Sequence, residues 1–258
     1  MKPIVLITGA NGMLAKELAI QLVDKYSIRF LTRNVTKDNE YLWDLHRKYI
    51  DPKAFIGVHS IIHLAGSPIV DKRWSKSRKR MILSSRVDSS RLIAEELKKN
   101  KITINSFISA SAIGYYGATT SKVIFNENSP KGTDYLSDVC AQWEHAAQLF
   151  KSESIAENVS IVRIGVVLSK NNKVVNKIVT PIKLGVGAAV GTGSQFMPWI
   201  HLEDLAGIFK FILTNKQVNE TFNAVAPVYI TNQELTSAIA KLINRKILLP
   251  NIPKFVMK

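Results

Sequence analysis

A glycine-rich turn near the start of the chain carries the strongest chemical signal in the sequence. In TGANGMLA, residues 8–15, Gly9 permits a tight turn, Gly12 lets the backbone approach a pyrophosphate, and Ala15 is small enough for close helix–strand packing. The helix that starts here offers unpaired N–H groups and the positive end of its dipole. The position of this turn between a clear strand and a clear helix predicts dinucleotide binding. The expected contacts are Gly9, Asn11, Gly12, Met13 and Leu14.

The end of the second predicted strand bears on which dinucleotide binds. NAD-specific sites hold a carboxylate there for the ribose 2′-hydroxyl. This chain has LTRN at residues 31–34, with no acid and with Arg33. A guanidinium can bind a 2′-phosphate through two parallel hydrogen bonds, so the residues favour NADP(H) over NAD(H). The alternative is a solvated arginine without a ligand, in a chain with 35 lysines and arginines.

Two further stretches and one serine are candidates for the same site. An acidic residue follows a predicted short strand and could contact adenine. HLAG, residues 63–66, ends another strand with small residues that suit a backbone beside the cofactor ribose. Its histidine, His63, fits a packed core residue as well as a ligand. The expected contacts from these stretches are Asp44, Leu64, Ala65, Gly66 and Ser109.

The single cysteine lies on the inward face of a predicted helix. In YLSDVCAQWEHAA, residues 135–147, apolar residues recur every three or four positions from Leu136 to Ala147, and Cys140 shares their stripe. Two readings stay open. Cys140 is either a small buried thiol that packs like alanine or a substituted residue of a functional site.

Short apolar strands alternate with helical patterns through the first two thirds of the chain, and this framework must position the candidate residues. The strands are apolar on both faces and rich in β-branched residues, which is typical of a parallel sheet covered by helices on both sides. We predict an α/β fold with a Rossmann-type, doubly wound parallel sheet over residues 1–165. A smaller substrate lobe over residues 166–258 is expected to be interwoven with the sheet.

Composition narrows the class of protein. The chain has 258 residues, 46% of them hydrophobic, and its one cysteine allows no internal disulfide, which fits a reducing, cytoplasmic setting. We expect no signal peptide, because the strand-like IVLITG begins at Ile4 with no apolar targeting segment before it. We expect no membrane span, because the longest uncharged run, residues 184–202, contains four glycines and a proline. The net charge of +15 favours anionic ligands. The basic cluster at residues 71–80 lacks any recognised nucleic-acid module, so no specific nucleic-acid binding is expected.

The motifs together resemble the short-chain dehydrogenase/reductase superfamily, in its extended, epimerase-like branch. TGANGMLA, HLAG, FISASAIGYYG (107–117), the turn at 163–165 and WIHLEDLA (199–206) follow in the expected order. A closer resemblance is to an atypical "epimerase family" group, through LTR, RW (73–74), SSR (84–86), SAIGYYG, VCAQWE and MPWIH. The resemblance covers essentially the whole chain and implies a nicotinamide dinucleotide as cofactor. It assigns no substrate.

The resemblance also implies an active site built from Ser, Tyr and Lys, in which the tyrosine moves a proton as hydride moves to or from nicotinamide. Ser111 matches the serine, whose hydroxyl could polarise a substrate carbonyl. With Glu144 aligned on the family's glutamate, Leu136 stands at the tyrosine position and Cys140 at the lysine position, near the nicotinamide ribose. The usual asparagine position carries Arg86.

The substituted positions change the chemistry that the site can perform. A thiol carries no positive charge, so Cys140 cannot replace an ammonium. Arg86 would restore the charge, and if it lies close to Cys140 it would favour the thiolate. Tyr115 and Tyr116 are the remaining candidates for the proton donor. We also expect Arg86 and Cys140 to contact the cofactor.

Two interpretations of function follow. The first is an NADP(H)-dependent oxidoreductase or epimerase-like enzyme that acts on a small carbonyl, hydroxyl or sugar-nucleotide substrate. The second is an inert NADP(H)-binding sensor or scaffold, favoured by the missing Tyr–Lys pair and by an expected shortening at Lys258, several dozen residues before relatives end. No metal is expected. Because relatives often dimerise through the helices that carry Lys76 and Cys140, a homodimer is a further expectation.

Overall fold

The computed structural model describes residues 1–69, 73–120, 123–170, 173–215, 218–247 and 249–252. The strands are β1 (Ile4–Thr8), β2 (Ser27–Thr32), β3 (Glu40–Asp44), β4 (Tyr49–Ile50), β5 (Val58–His63), β6 (Ile104–Ala112), β7 (Ala156–Ile164), β8 (Val166–Leu168), β9 (Trp199–His201) and β10 (Thr221–Ala224). The helices are α1 (Met13–Leu22), α2 (Lys76–Lys99), α3 (Tyr135–Ser152), α4 (Lys173–Lys183), α5 (Leu202–Thr214) and α6 (Asn232–Leu242).

Eight strands form one sheet in the order β10-β7-β6-β5-β1-β2-β3-β4. All neighbours are parallel except β3 and β4. The order reverses between β1 and β5, and ligands of doubly wound sheets bind at such a switch point, outside the carboxyl ends of the strands. The predicted Rossmann-type α/β fold is therefore confirmed. The antiparallel edge strand β4 and the small parallel pair β8–β9 are additions that the sequence patterns did not indicate.

Side-chain alternation along β1 divides the core into two layers. Leu6 packs into the layer that contains Phe107 and Phe150, whereas Val5 and Ile7 point to the opposite layer. All three β1 side chains are fully buried. A strand that is apolar on both faces is stable only when helices cover both sides of the sheet. Here α2 and α3 cover one side, and α1 and α5 cover the other.

The segment after Gly165 is woven into this sheet. Its strand β10 pairs with β7 at the sheet edge, and its helix α5 packs against α1. In the rest of the segment, α4 contacts α6 and β8 pairs with β9. Val167 of β8 and Leu202 and Leu205 of α5 line the cavity described below. Within the described ranges, no helix is long and apolar enough to cross a membrane.

The helices that flank the site begin in different ways. The side chain of Ser75 caps α2 by accepting from the Arg78 amide, and Asp134 caps α3 by accepting from the Ser137 amide. Helix α1 begins at Gly12 with no side-chain cap. Because the first amides of a helix have no partner inside it, α1 presents unpaired N–H groups at the carboxyl edge of the sheet.

Candidate cofactor and active site

The turn between β1 and α1 has the geometry of a phosphate cradle. Gly9 has φ +76°, a conformation that favours glycine, and a Cβ there would lie 3.4 Å from the Leu64 backbone. The Gly12 amide donates to the Gly9 carbonyl at 2.8 Å, which closes the turn below the uncapped start of α1. The cradle thus combines bare backbone with a helix dipole, the combination that binds a pyrophosphate.

A cavity of about 260 Å³ opens beside this turn. It brings the glycine turn, the end of β5 and the end of β6 to one place, as the parallel sheet requires. Its lining is formed by Gly9, Gly12, Met13, Leu14, Ala15, Leu64, Ala110, Ser111, Trp143, Ile164, Val167, Leu202 and Leu205. Four of the predicted cradle contacts therefore share one cavity with the predicted serine.

A buried hydrogen-bond chain holds the cradle in register. The Thr8 hydroxyl accepts from the Leu64 and Ala65 amides at 2.9 and 3.0 Å, so its own proton goes to Nδ1 of His63 at 3.0 Å. Nε2 of His63 then donates to Ser89 on α2 at 3.0 Å. His63 is a packed structural residue, and burial lowers the pKa of its imidazole to about 4.

The candidates for nucleotide selectivity lie at the ends of β2 and β3. Arg33 directly follows β2 and is exposed, and no hydrogen bond or ion pair engages it in the described structure. Asp44 ends β3, where Oδ1 accepts from the His46 and Arg47 amides at 2.9 and 3.2 Å. Asp44 thus has a local role in a turn, and its contact with adenine stays a prediction. Asn11 is exposed at the tip of the cradle.

Arg86 is a buried cation behind the cradle. Its side chain donates to the carbonyls of Ser67 and Ile82 at 3.1 and 3.0 Å, and its guanidinium lies 5.1 Å from the Trp143 ring centroid. A Cβ on Gly66 would come within 2.9 Å of that guanidinium, so Gly66 leaves the space that Arg86 occupies. Burial lowers the pKa of Arg86, but in the described structure its charge has no carboxylate partner.

The Cys140 thiol is buried below the turn at residues 113–116. Its Sγ would lie 3.7 Å from a Cβ built on Gly114. Burial and the Glu144 carboxylate raise the pKa of the Cys140 thiol to about 11, and the opposing effect of Arg86 is too small to reverse this. Arg86 does favour the thiolate, as expected, but desolvation and the Glu144 carboxylate outweigh this attraction, so the thiol stays protonated at neutral pH.

A buried ion pair lies at the centre of the predicted active site. Glu144 accepts from Arg163 at both carboxylate oxygens, at 2.9 and 2.8 Å, and the two side chains are 10% and 5% exposed. The Ser111 hydroxyl donates to Oε1 of Glu144 at 2.6 Å. Its proton is therefore engaged by a carboxylate in this structure, and the predicted polarisation of a substrate carbonyl by Ser111 requires exchange of that hydrogen bond.

The two candidate tyrosines have different surroundings. The Tyr116 hydroxyl accepts from Arg163 at 2.8 Å and donates to Oδ1 of Asn223 at 2.7 Å. The proton and a lone pair of the Tyr116 hydroxyl therefore both serve a structural network. Burial raises the pKa of this hydroxyl. The half-buried ring of Tyr115 stacks 3.5 Å from the Arg163 guanidinium, and its hydroxyl has no hydrogen bond to any described residue.

Two site features were absent from the sequence prediction. Glu144 served only to align the helix, although it anchors Ser111 and Arg163, and Asn223 was not considered. A glutamate on the buried stripe of a helix was the one available signal, since such a charge needs a partner.

Ser109 is buried on β6 and donates to the Ala110 carbonyl at 3.0 Å. Its expected contact with the cofactor stays a prediction.

Comparison with known proteins agrees with this geometry. The family model described as "NAD dependent epimerase/dehydratase family" matches residues 5–224. The chain belongs to this family. Within the family it falls in the group of epimerase family proteins that includes SDR39U1 and YfhF, which confirms the resemblance seen in the motifs.

The relatives match almost the full chain. The chain is 31% identical over 262 residues to the epimerase family protein SDR39U1 homolog, chloroplastic, of Arabidopsis thaliana, with 98% of this chain and 74% of the relative covered. It is 28% identical over 256 residues to the epimerase family protein YfhF of Bacillus subtilis, with 97% and 83% covered.

Solved structures of epimerase-like proteins share the fold. The human epimerase family protein SDR39U1 (isoform 2), crystallised with NADPH, matches with a TM-score of 0.82 and 26% identity over 97% of this chain and 82% of that one. MoeE5 in complex with UDP-glucose and NAD matches with a TM-score of 0.79 at 18% identity, a likeness that extends to the fold alone.

Proposed function

We propose that this family member binds NADP(H) in the cradle and catalyses hydride transfer to or from a small-molecule substrate. The observation that carries the proposal is the uncapped start of α1 behind the Gly9–Gly12 turn, with the unpaired Arg33 at the end of the neighbouring strand β2. Bare amides suit the pyrophosphate, and a free guanidinium suits the 2′-phosphate that distinguishes NADP(H) from NAD(H). The NADPH complex of the human relative supports the same choice of cofactor.

The residues present fit such a cofactor. The φ of +76° at Gly9 favours glycine in the cradle, and the apolar wall formed by Leu64, Ile164 and Val167 suits a flat ring. When bound, nicotinamide supplies or accepts a hydride. The protein then has to orient the substrate and to provide one proton for each hydride transferred to a carbonyl carbon, because the resulting alkoxide must become a hydroxyl.

Tyr115 is the residue that best suits this proton transfer. Tyr116 and Ser111 have their protons in hydrogen bonds to Asn223 and Glu144. Tyr115 keeps a hydroxyl with no described partner, and its ring lies against the fixed cation of Arg163. Because Glu144 already pairs with that cation, the guanidinium would stabilise the phenolate left after proton transfer less than the family's lysine does.

The same network also supports a second candidate function, a protein that binds NADP(H) without turnover. Its motivation is specific: Leu136 and Cys140 stand in place of the Tyr–Lys pair, the Cys140 thiol is buried and protonated, and the Ser111 proton is held by Glu144. In this reading the cradle senses the state of the nicotinamide pool.

A combined binding and turnover experiment separates the two functions. Calorimetric titration with NADPH and NADH should show binding with a preference for NADPH. NADPH consumption is then followed with a broad panel of small aldehydes and ketones, using wild type, Ser111→Ala, Tyr115→Phe and, as a matched control, Tyr49→Phe on β4. Turnover that is lost only in the first two variants supports the enzyme. Tight NADPH binding with no consumption above Ser111→Ala supports the sensor, and no binding of either nucleotide refutes both.

A further inference from the structure

Trp143 brings a hydrogen-bond donor to the wall of the cofactor cavity that the described part of the protein leaves unused. The residue lies in α3, lines the cavity and is 5% exposed. Its Nε1 atom is buried and has no acceptor among the described residues. Burying an N–H group without a partner is unfavourable, because the hydrogen bonds to water are lost and nothing replaces them. A group that enters the cavity is therefore a candidate for the missing acceptor.

The other side chains of this wall offer no free donor. Apart from Ser111 and Trp143, the described residues that line the cavity are glycine, alanine, valine, leucine, isoleucine and methionine, whose side chains carry no N–H or O–H group. The Ser111 hydroxyl donates to Oε1 of Glu144 at 2.6 Å. The Trp143 N–H is thus the side-chain donor of the described wall that remains for a ligand.

Arg86 holds the indole of Trp143 in place. The Arg86 guanidinium lies 5.1 Å from the centroid of the Trp143 ring, within the range of a cation–π contact. Arg86 is held in turn by the carbonyls of Ser67 and Ile82, to which it donates at 3.1 and 3.0 Å. A ring that is already fixed in the free protein loses little freedom when a ligand binds, so its donor is pre-organised.

The strand order places Trp143 towards the nicotinamide end of the proposed cofactor. Arg33 follows β2, the glycine turn follows β1, and Ser111 lies near the end of β6. In the sheet β6 is three strand spacings from β2, or about 14 Å. A dinucleotide with its 2′-phosphate at Arg33 and its pyrophosphate at the turn therefore extends its other half over β5 and β6. Trp143 lines the cavity together with Ala110 and Ser111 of β6.

We propose that Trp143 is a cofactor-binding residue whose Nε1–H donates to an oxygen of the nicotinamide half of NADP(H), either a ribose hydroxyl or the carboxamide oxygen. The proposal rests on the proposed function, because it takes NADP(H) as the occupant of the cavity. In the free protein this N–H has no described partner, so the hydrogen bond adds to cofactor binding and not to folding. A residue that served packing alone would show the opposite balance.

Paired tryptophan variants test the proposal by calorimetric titration of the full chain. Trp199 is the matched control, because its Nε1 is also buried without a described partner, yet it does not line the cofactor cavity. Trp143→Phe should weaken NADPH binding by about fivefold to tenfold, the effect of one lost neutral hydrogen bond. It should leave unchanged the affinity for 2′,5′-ADP, which lacks the nicotinamide half. Trp199→Phe should change neither affinity.

The indole N–H resonances of ¹⁵N-labelled wild type give a readout that does not depend on the packing of a Trp143 variant. The chain has four tryptophans, and phenylalanine variants of Trp43, Trp74 and Trp199 assign three of the signals and leave that of Trp143 by elimination. Saturation with NADPH should shift the Trp143 signal downfield as the hydrogen bond forms, whereas 2′,5′-ADP should leave it in place.

A third ligand identifies the acceptor. 2′-Phospho-ADP-ribose keeps the second ribose and lacks nicotinamide, so weaker binding of this ligand to Trp143→Phe identifies a ribose hydroxyl, and unchanged binding identifies the carboxamide. The proposal is overturned if Trp143→Phe binds NADPH as tightly as wild type, if it weakens NADPH and 2′,5′-ADP equally, or if NADPH leaves the Trp143 signal unmoved. Failure of the proposed function is distinct, because wild type would then bind no NADPH, and that result refutes both.

Discussion

The Ser111 hydroxyl donates to Oε1 of Glu144 across 2.6 Å, inside the protein and 33 positions apart in the chain. The same carboxylate holds both ends of the Arg163 guanidinium. The Ser111 hydroxyl, which the family resemblance implies would polarise a substrate carbonyl, is thus part of a buried charge network. Burial would lower the pKa of Arg163, but the hydrogen bonds and charge of Glu144 raise the pKa above its ordinary value. The hydrogen bonding of Ser111 is therefore linked to the stability of the buried Glu144–Arg163 ion pair.

Neutralising Glu144 should destabilise the fold strongly. Glu144→Gln leaves the Arg163 cation buried without its counter-charge, a change that typically costs about 3–5 kcal/mol. Urea denaturation measures the free energy of unfolding. The control is Glu153→Gln, which removes an exposed carboxylate paired with Lys98 and should cost at most about 1 kcal/mol. An equal loss of unfolding free energy in the two variants would show that the buried ion pair contributes no more to stability than the exposed one.

Removing the Arg33 guanidinium should change cofactor preference. Arg33→Ala is expected to weaken NADPH binding by about tenfold or more, because charge-assisted hydrogen bonds to the 2′-phosphate are lost, and to leave NADH binding unchanged. Calorimetric dissociation constants for both nucleotides give the ratio. Arg91→Ala, which removes an exposed arginine of α2, serves as the control. A parallel loss of NADPH and NADH affinity in Arg33→Ala would contradict the assignment.

A methyl group at Gly9 should strain the turn and narrow the cofactor cavity that Gly9 lines. Gly9 and Gly185 have φ of +76° and +77°, so alanine at either position should cost about 1–2 kcal/mol of stability. Only at Gly9 would the new Cβ meet backbone, at 3.4 Å from Leu64, since nothing lies within 4 Å at Gly185. We expect Gly9→Ala alone to lose NADPH affinity in titration. Unchanged affinity in folded Gly9→Ala would remove the cradle from the proposed site.

The buried imidazole of His63 should make stability fall in mild acid. Its pKa is about 4 in the folded protein and 6.5 when exposed, so between these values the unfolded chain binds the extra proton. The free energy of unfolding therefore decreases as pH falls from 6.5 towards 4, by about 3 kcal/mol in total. Denaturation curves of His63→Gln should lack this part of the slope, whereas exposed His145→Gln should keep it. Identical pH profiles for both variants would contradict the neutral buried imidazole.

Native Cys140 should resist alkylation. With 4% exposure and a pKa raised to about 11 by burial, the side chain is a protonated thiol at neutral pH. Iodoacetamide reacts with the thiolate, so labelling followed by mass spectrometry should be slow in buffer and rapid after unfolding in urea. Cys140 is not among the residues that line the cofactor cavity, so Cys140→Ala should keep NADPH affinity within about twofold, in contrast to the contact that the resemblance implies. Rapid labelling of the folded protein would point instead to a reactive site cysteine.

The sequence by itself determined the features that depend on neighbours along the chain. The step from β1 through Gly9 to α1 is readable in the sequence because strand, turn and helix are contiguous. Apolar runs without alternation likewise predicted a sheet covered on both faces. Local sterics and the pattern of apolar residues determine these elements, and both can be read from short stretches of sequence.

Only the tertiary structure decided the chemical state of the site. Glu144 meets Ser111 and Arg163 from three separate elements, and Tyr116 reaches Asn223 across 107 positions. Whether Cys140 is a thiol or thiolate depends on the balance between burial and two nearby charges. Electrostatic interactions and desolvation act through space, so packing had to bring these groups together before their protonation and partners were defined.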